Sequence, residues 1–406
     1  MACLFRPTAV GASYGSAHRT RVHCRLGVFV PSLVPAARHA PVVRGKRNVV
    51  SRSHSFHIPS LDGLRAVSFL IVFAAHAGLD QLVPGGFGVT VFFFLSGYLI
   101  TTLMRVESDA SGNVSLKKFY MRRALRILPP FYIVLLAATL LASVGFLGGD
   151  PLRPKPVLSQ IFHISNYWIA KHGWSGIAPG TGVYWSLAVE EHFYLLFPAL
   201  FLVLRRLHLT GRQMALCFWT SCALVLSWRC ALVFFLHASI DRTYLCSDTR
   251  IDSIAFGCAL AVWHNPMLDV VEASQSRSAF SRHAPWSIGL CILLLTFVVR
   301  NPHFRETFRY TAQGIALTPI FVAAVRCPHW PLFRPLNWQP VRFVGTISYS
   351  LYLVHQTTLM AVAQHLSLGG LARGSLALLI SVAIAWVMYR VVEKPCAALR
   401  RRLSVA

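Results

Sequence analysis

The sequence predicts an all-α polytopic membrane protein with about ten transmembrane helices and both termini in the cytoplasm. Of its 406 residues, 55% are hydrophobic and only 13% are charged, about half the charged fraction of a typical soluble domain. Apolar stretches of about twenty residues, the length that crosses a bilayer as a helix, recur along the chain. The basic residues gather in short segments between these stretches, as they do in cytoplasmic loops.

The predicted helices follow one another in order, separated by turn residues or charged segments. Pro84-Gly85-Gly86 turns the chain from the first helix into the second, and the basic segment 105–126 precedes the third on the cytoplasmic side. The Gly- and Pro-rich residues 147–183 form a long outer loop, and Arg205-Arg206 end the fourth helix at the cytoplasm. The predicted spans are residues 61–82, 87–103, 127–146, 183–204, 215–237, 251–263, 286–299, 309–325, 344–365 and 374–391.

The charge balance favours a bilayer over nucleic acid as the partner. The net charge of +25 arises in segments between apolar spans, and no nucleic-acid-binding motif accompanies it. Residues 1–57 contain no acidic residue, so we expect a targeting peptide, a disordered basic tail or a start codon assigned too far upstream. The membrane domain is expected to occupy residues 58–402. The ten cysteines form no CxxC pair, so no metal site is expected.

The first predicted helix carries Asp62, Arg65, His76 and Asp80 in an apolar run. Each charged group within a membrane segment costs about 2.5–3.5 kcal/mol, so such groups indicate function. At 100° per residue, Arg65 and His76 differ by about 20° around the axis, and both carboxylates lie within about 40° of His76. Arg65 and His76 are about 16.5 Å apart along the axis. The pattern predicts two sites joined by a long ligand or channel. Alternatively, Asp62 and Arg65 anchor the helix end and His76 is a core histidine.

The segment FYMRRALRILPP places Arg122, Arg123 and Arg126 on adjacent helical turns. Guanidinium groups bind phosphate oxygens through paired hydrogen bonds. We therefore expect this segment to hold the phosphates of a cytoplasmic ligand, with a plain cytoplasmic anchor as the alternative. Pro129-Pro130 is expected to end or kink the segment.

The fourth helix opens with YWSLAVEEHFYLLFP, which carries Glu190 and Glu191 inside an apolar run. Consecutive helical residues point about 100° apart, so at most one of the two carboxylates faces a given site. A carboxylate there is a candidate general base or a ligand for a sugar hydroxyl. An ion pair with Arg250 is the structural alternative. Tyr184 and Trp185 are expected at the outer membrane interface.

The ninth helix carries Ser348, Tyr352 and His355 at i, i+4 and i+7, a spacing that forms a polar stripe on one face. In a membrane helix such a polar face must point into the bundle. Ser96-Gly97 of the second helix is expected to serve helix packing. The expected substrate-binding residues are Tyr184, Trp185, Arg250 and Asp252 of RIDSIAFG, and Ser348, Tyr352 and His355 of the polar stripe.

Together these segments resemble the acyltransferase-3 family of integral membrane O-acyltransferases, over about residues 60–402. In that family an R-x10-H pair and an RxxR pair are functionally important, and they correspond here to Arg65, His76, Arg123 and Arg126. One departure is Thr90, which stands where an aspartate is common, and the family's fused esterase-like domain is not expected on this chain. The motifs that carry the resemblance are SLDGLRA, GGFGVTVFFFLSGYLIT, RRALR, YWSLAVEEHFYLLFP, RIDSIAFG, ISYSLYLVHQ and VVEKP.

The resemblance implies transfer of an acyl group, usually acetyl, from cytoplasmic acyl-CoA to a hydroxyl of a carbohydrate or glycolipid acceptor. A bacterial plasma membrane location is also expected, and no metal cofactor. We expect His76 to be the general base with Asp80 orienting its ring, and Arg65 with the arginine segment to hold the CoA phosphates. An acyl-histidine intermediate is a variant of this mechanism.

Two other functions compete with this one. A transporter or flippase of a lipid-linked sugar would line its path with the same intramembrane charges. A membrane acyltransferase of another family would place its histidine elsewhere.

Overall fold

The computed structural model describes residues 59–269 and 279–405, so the expected basic tail, 1–57, lies outside the described residues. Within those two ranges the chain is helical and has no strand. The helices are α1 Pro59–Ala74, α2 Gly85–Ser111, α3 Leu116–Ser143, α4 Pro154–Ile161, α5 Ser165–His172, α6 Trp185–Arg206, α7 Gly211–Phe234, α8 Ile240–Leu245, α9 Ser247–Val262, α10 Ala279–Val298, α11 Pro302–Glu306, α12 Phe308–Arg326, α13 Gln339–Thr346, α14 Ser348–His365, α15 Gly370–Met388 and α16 Lys394–Val405.

Each of the ten predicted spans overlaps a helix, although span 344–365 includes the end of α13 as well as α14, and the all-α class is confirmed. Six helices of the described chain are long and apolar enough to cross a membrane. The other four predicted spans correspond to α9, α10, α12 and α14. Helix α9, for example, has 16 residues and rises about 24 Å, less than the hydrocarbon thickness of about 30 Å. Ten membrane crossings and two cytoplasmic termini therefore stay predictions. The six segments are Pro59–Leu79, Gly85–Ser111, Leu116–Ser143, Gly182–Arg206, Gly211–Phe234 and Gly370–Leu403.

Two helix boundaries differ from the prediction and affect the site. Helix α1 ends at Ala74 and continues as one π-helical turn, Ala75–Leu79, in which Gly78 has φ 101°. Such π-helical turns occur frequently at functional sites. Helix α3 begins at Leu116, capped by the Ser115 side chain, and runs through Pro129-Pro130. The arginine segment is therefore part of a membrane helix and not a loop.

Helix α2 is the most deeply buried of the six long helices, and glycines allow it to contact α9 at backbone distance. A side chain at Gly97 would collide with the carbonyl oxygen of Ile254, and one at Gly257 would collide with that of Phe94. Small residues of this kind let membrane helices approach closely. The packing role predicted for Gly97 is confirmed.

We expect Gly97→Ala to destabilise the protein by about 1–3 kcal/mol, because the added methyl group forces α2 and α9 apart. The measurement is the thermal unfolding midpoint of the purified protein in detergent. Gly370→Ala is the matched control, since a methyl group there meets nothing within 4 Å. An unchanged midpoint for Gly97→Ala would show that the α2–α9 contact is looser than described.

Candidate active site

A cavity of about 250 Å³ lies between α1, α2, α3, α6 and α14. Its walls are largely apolar, with Phe92, Phe93 and Leu99 contributed by α2. A few polar groups converging in an apolar cavity are typical of a binding site for an organic ligand. The polar side chains that line it are Asp62, Arg65, Ser96, Thr102, Arg123, Arg126, Ser186, Glu190, Tyr194, Ser348, Tyr349 and Tyr352.

Three arginines share this cavity, Arg65 from α1 and Arg123 and Arg126 from α3. The Arg123 guanidinium lies 5.0 Å from the ring centroid of Tyr194. Within the described chain, Arg65 and Arg126 make no hydrogen bond or ion pair. Two guanidinium groups that point into one cavity without such partners are suited to an anionic ligand, above all to phosphate oxygens.

Arg122 does not belong to this group, which corrects its expected place beside the ligand phosphates. Its guanidinium forms an ion pair with Glu107 of α2, with 2.6 Å between nitrogen and oxygen, and it does not line the cavity. Arg122 is one residue from Arg123, so it lies about 100° away around α3. It therefore joins α3 to the end of α2.

Glu190 forms a polar triangle with Ser96 and Tyr194 on the cavity wall. Its carboxylate accepts hydrogen bonds from the Ser96 hydroxyl at 2.8 Å and the Tyr194 hydroxyl at 3.1 Å. The two hydroxyl oxygens are 2.8 Å apart. The packing role expected for Ser96 is therefore incomplete, because its hydroxyl connects α2 to a carboxylate of α6. This triangle can bind polar groups of a ligand in the cavity.

A pair of histidines lies beyond the cavity. Nδ1 of His76 is 3.0 Å from Nε2 of His355, and the two rings stack with centroids 5.2 Å apart. Nδ1 of His355 is 2.7 Å from the backbone carbonyl oxygen of Tyr352. His355 is fully buried, with Phe69 and Phe73 against its ring, whereas His76 is exposed.

These hydrogen bonds assign the tautomers of both neutral rings. The carbonyl oxygen of Tyr352 can only accept, so Nδ1 of His355 carries the hydrogen and its Nε2 is an acceptor. Nδ1 of His76 therefore donates to His355. The remaining nitrogen of His76, Nε2, has a lone pair and no hydrogen, which is the state that a general base requires.

Asp80 does not orient His76, which corrects the expectation for this residue. Its carboxylate accepts a hydrogen bond from the Gln81 side chain at 3.3 Å, and the ring partner of His76 is His355. The positive φ of Gly78 interrupts the helix between them. The 100° spacing that placed Asp80 on the face of His76 therefore does not hold past Gly78.

Tyr352 connects the histidine pair to the cavity. Its side chain lines the cavity, and its ring centroid is 5.5 Å from that of His355. Arg65 also lines the cavity, and it lies eleven residues before His76 on the same helix, about 16 Å along the axis. Arg65 thus lies in the cavity wall and the histidine pair adjoins the cavity through Tyr352, while one site with an arginine end and a histidine end stays a prediction.

Comparison with known proteins identifies the family. The model of the acyltransferase domain called Acyl_transf_3 matches residues 58–390. The chain belongs to the acyltransferase-3 family. Together with its long apolar helices, this membership makes it an integral membrane protein. No solved structure gives a significant match to the chain.

Bacterial members of the acyltransferase-3 family cover most of the chain. It is 30% identical to peptidoglycan O-acetyltransferase OatA of Listeria monocytogenes over 357 residues, 84% of this chain and 56% of the relative. It is also 30% identical to the putative peptidoglycan O-acetyltransferase YrhL of Bacillus subtilis, over 84% of this chain and 55% of the relative. A putative O-acetyltransferase of Staphylococcus aureus is 30% identical over 74% of this chain and 50% of the relative. The chain thus spans about half the length of these curated relatives.

Other predicted site residues of this acyltransferase-3 chain lie outside the cavity. Tyr184 and Trp185 are buried in the bundle, and the Tyr184 hydroxyl donates to the carbonyl of Leu353 at 3.1 Å. Glu191 does not line the cavity, and its Oε1 is buried without a hydrogen-bond partner. Only Glu190 of the adjacent glutamates faces the cavity, in agreement with the expectation that at most one would.

Arg250 and Asp252 are buried in separate polar clusters, and Arg250 makes no ion pair with Glu190 or Glu191. Arg250 donates to the Thr90 hydroxyl at 3.2 Å and to the carbonyl of Tyr244 at 3.0 Å. Its guanidinium is surrounded by aromatic rings, the nearest being Tyr310 at 4.0 Å from the centroid. Thr90, where the family often has an aspartate, thus binds Arg250 through a neutral hydroxyl. Asp252 pairs with Arg229 at 2.7 Å.

The sequence alone did not reveal four features of the site. It assigned Ser96 to packing, gave Tyr194 and Ser186 no role, and did not pair His355 with His76. Tyr194 carried a signal, since it lies four residues after Glu190 on one helix face. No sequence pattern pointed to Ser186, whose hydroxyl lies 2.7 Å from the Tyr352 hydroxyl.

Proposed function

We propose that the chain is a membrane O-acyltransferase that moves an acyl group, most simply acetyl, from acyl-CoA to a hydroxyl of a glycan. The arrangement that carries this proposal is an arginine-lined cavity that Tyr352 connects to a base-competent histidine pair. Two relatives are named as peptidoglycan O-acetyltransferases, and they support a glycan as the acceptor. The proposal includes cytoplasmic acyl-CoA as the donor and no metal.

The chemistry of the cavity lining suits acyl-CoA. Its phosphates would lie against Arg65 and Arg126, which have no other ion-pair partner in the described chain. The pantetheine arm would extend along the apolar wall of α2, with the Ser96–Glu190–Tyr194 triangle available for its amide groups. An arm extended over about 16 Å places the thioester near His76.

The transfer step uses the lone pair on Nε2 of His76. This nitrogen removes the proton of the acceptor hydroxyl as its oxygen attacks the thioester carbonyl carbon and forms the new C–O bond. The tetrahedral intermediate then expels the CoA thiolate, which breaks the C–S bond, and the thiolate takes the proton from the His76 imidazolium. His355 accepts the Nδ1 hydrogen of His76 and keeps the ring in the reactive tautomer.

The test is an acetyl-transfer assay on membranes that contain the full chain. It measures thiol release from acetyl-CoA labelled in the acetyl group, together with label recovered in added peptidoglycan. We expect thiol release that depends on peptidoglycan and matches the label transferred. No release and no transfer with any acyl-CoA, from well-expressed protein, would overturn the proposal and favour the transporter or flippase.

We expect Arg126→Ala to raise the KM for acetyl-CoA about 10- to 100-fold, the effect of losing a charge-assisted hydrogen bond to phosphate. The kcat should change little, because the arginine lies far from the thioester. Arg122→Ala is the matched control on the same helix, since its half-exposed ion pair with Glu107 contributes little. If Arg122→Ala raised the KM as much as Arg126→Ala, the arginines would act through their positive charge in general and not by binding the CoA phosphates.

A further inference from the structure

The loop between α5 and α6 is fastened to α14 beside His355. The loop carbonyl of Gly180 accepts a hydrogen bond from the Thr357 hydroxyl at 3.2 Å, and the loop amide of Val183 donates to the Gln356 side chain at 3.3 Å. Gly180 has φ 75°, and a side chain there would collide with the backbone of Thr357. These contacts involve the two residues that directly follow His355, so the loop packs against the turn of α14 that contains His355.

Trp174 is held on this loop with much of its ring uncovered. The indole N–H donates to Oδ2 of Asp241 on α8 at 3.1 Å. The six-membered part of the ring lies so close to Gly182 that a Cβ there would be 3.1 Å from it. The side chain is nevertheless 46% exposed. Trp174 thus presents a fixed, exposed aromatic face. Its ring packs against Gly182, which also lies close to the side chain of Gln356, the residue after His355.

We propose that Trp174 and Asp241 form a subsite for a sugar ring of the acceptor. The inference rests on the proposed function and adds the place where the glycan binds. A fixed, exposed indole provides an apolar face for the C–H groups of a pyranose ring. Oδ1 of Asp241 makes no hydrogen bond within the described chain, so it can accept one from a sugar hydroxyl.

Trp228 of α7 shows what distinguishes this site from an ordinary exposed tryptophan. It is 41% exposed, and its indole N–H donates to Asp248 at 2.7 Å. The Asp248 carboxylate, however, also accepts from Arg242 and Tyr167, so both its oxygens are occupied. Membrane interfaces favour tryptophan without any ligand. A role in anchoring the protein to the bilayer would therefore apply to Trp228 as much as to Trp174.

The binding experiment uses the full chain in lipid nanodiscs and chitotetraose, the β-1,4-linked tetramer of N-acetylglucosamine, as the probe. The dissociation constant is measured for the wild type, Trp174→Ala, Trp174→Phe and the control Trp228→Ala. We expect Trp174→Ala to raise it at least tenfold, Trp174→Phe to raise it less, and Trp228→Ala to leave it unchanged. In the transfer assay, Trp174→Ala should raise the KM for chitotetraose without changing the KM for acetyl-CoA.

The other outcomes either contradict the sugar subsite or distinguish its failure from a failure of the proposed function. A wild type that does not bind chitotetraose, or equal losses in the two tryptophan variants, contradicts the subsite. Wild-type transfer with an unchanged acceptor KM in Trp174→Ala also contradicts it and leaves the proposed function intact. Binding that depends on Trp174 without any acyl transfer supports the subsite and contradicts the proposed function.

Discussion

His76→Ala is expected to lower the kcat of acyl transfer by about 10²- to 10⁴-fold, the contribution of a positioned general base. The hydroxyl of a sugar is a poor nucleophile at neutral pH, and His76 is an exposed histidine whose tautomer is set by the buried His355. The KM for acetyl-CoA should change little, because the arginine end of the cavity is untouched. The measurement is the rate of peptidoglycan-dependent thiol release at saturating acetyl-CoA.

Two further histidine variants give this prediction its controls. His355→Ala removes the acceptor of the His76 Nδ1 hydrogen, so the reactive tautomer is no longer enforced and kcat should fall by a smaller factor. His365→Ala is the matched control on the same helix as His355, since its exposed side chain contacts Phe146 and not the histidine pair. A His76→Ala variant that keeps more than a tenth of wild-type kcat would assign the base to another group.

The sequence was sufficient where function depends on the geometry of a single helix. The 3.6-residue period placed Arg65 and His76 on one face of α1 at a distance of about 16 Å, and α1 continues helically through His76. The same period put Ser348, Tyr352 and His355 on an inward face of α14, and all three lie at the cavity or the histidine pair. Local periodicity therefore picked out residues that line the cavity or belong to the histidine pair.

The sequence was insufficient where the partner is distant along the chain or where the helix is interrupted. His355 bonds a residue 279 positions away, a pairing that no local pattern contains. Asp80 was assigned to His76 by a regular helix that Gly78 breaks. No local pattern indicated that Trp185 is buried in the bundle, where its ring centroid is 4.8 Å from that of Tyr244. Tertiary packing decides such positions.

Asp252→Ala is expected to destabilise the protein by about 3–5 kcal/mol, enough to abolish folding of a marginally stable chain. Asp252 and Arg229 are both completely buried, with 2.7 Å between carboxylate and guanidinium. Loss of the carboxylate leaves the Arg229 charge in an apolar interior without its counter-ion. The measurement is the yield of monodisperse protein in detergent and its thermal unfolding midpoint.

The double variant Arg229→Met/Asp252→Leu separates a structural role from the substrate-binding role that the sequence suggested for Asp252. Replacing both charges by apolar groups removes the uncompensated charge, so the double variant should fold better than Asp252→Ala. Recovery should be incomplete, because Arg229 also donates to the backbone carbonyls of Thr249 and Thr307. If Asp252→Ala instead folds like the wild type and raises only the KM for the acceptor, the carboxylate binds substrate. Because the pair is fully buried and lies outside the cavity, we expect the loss of folded protein.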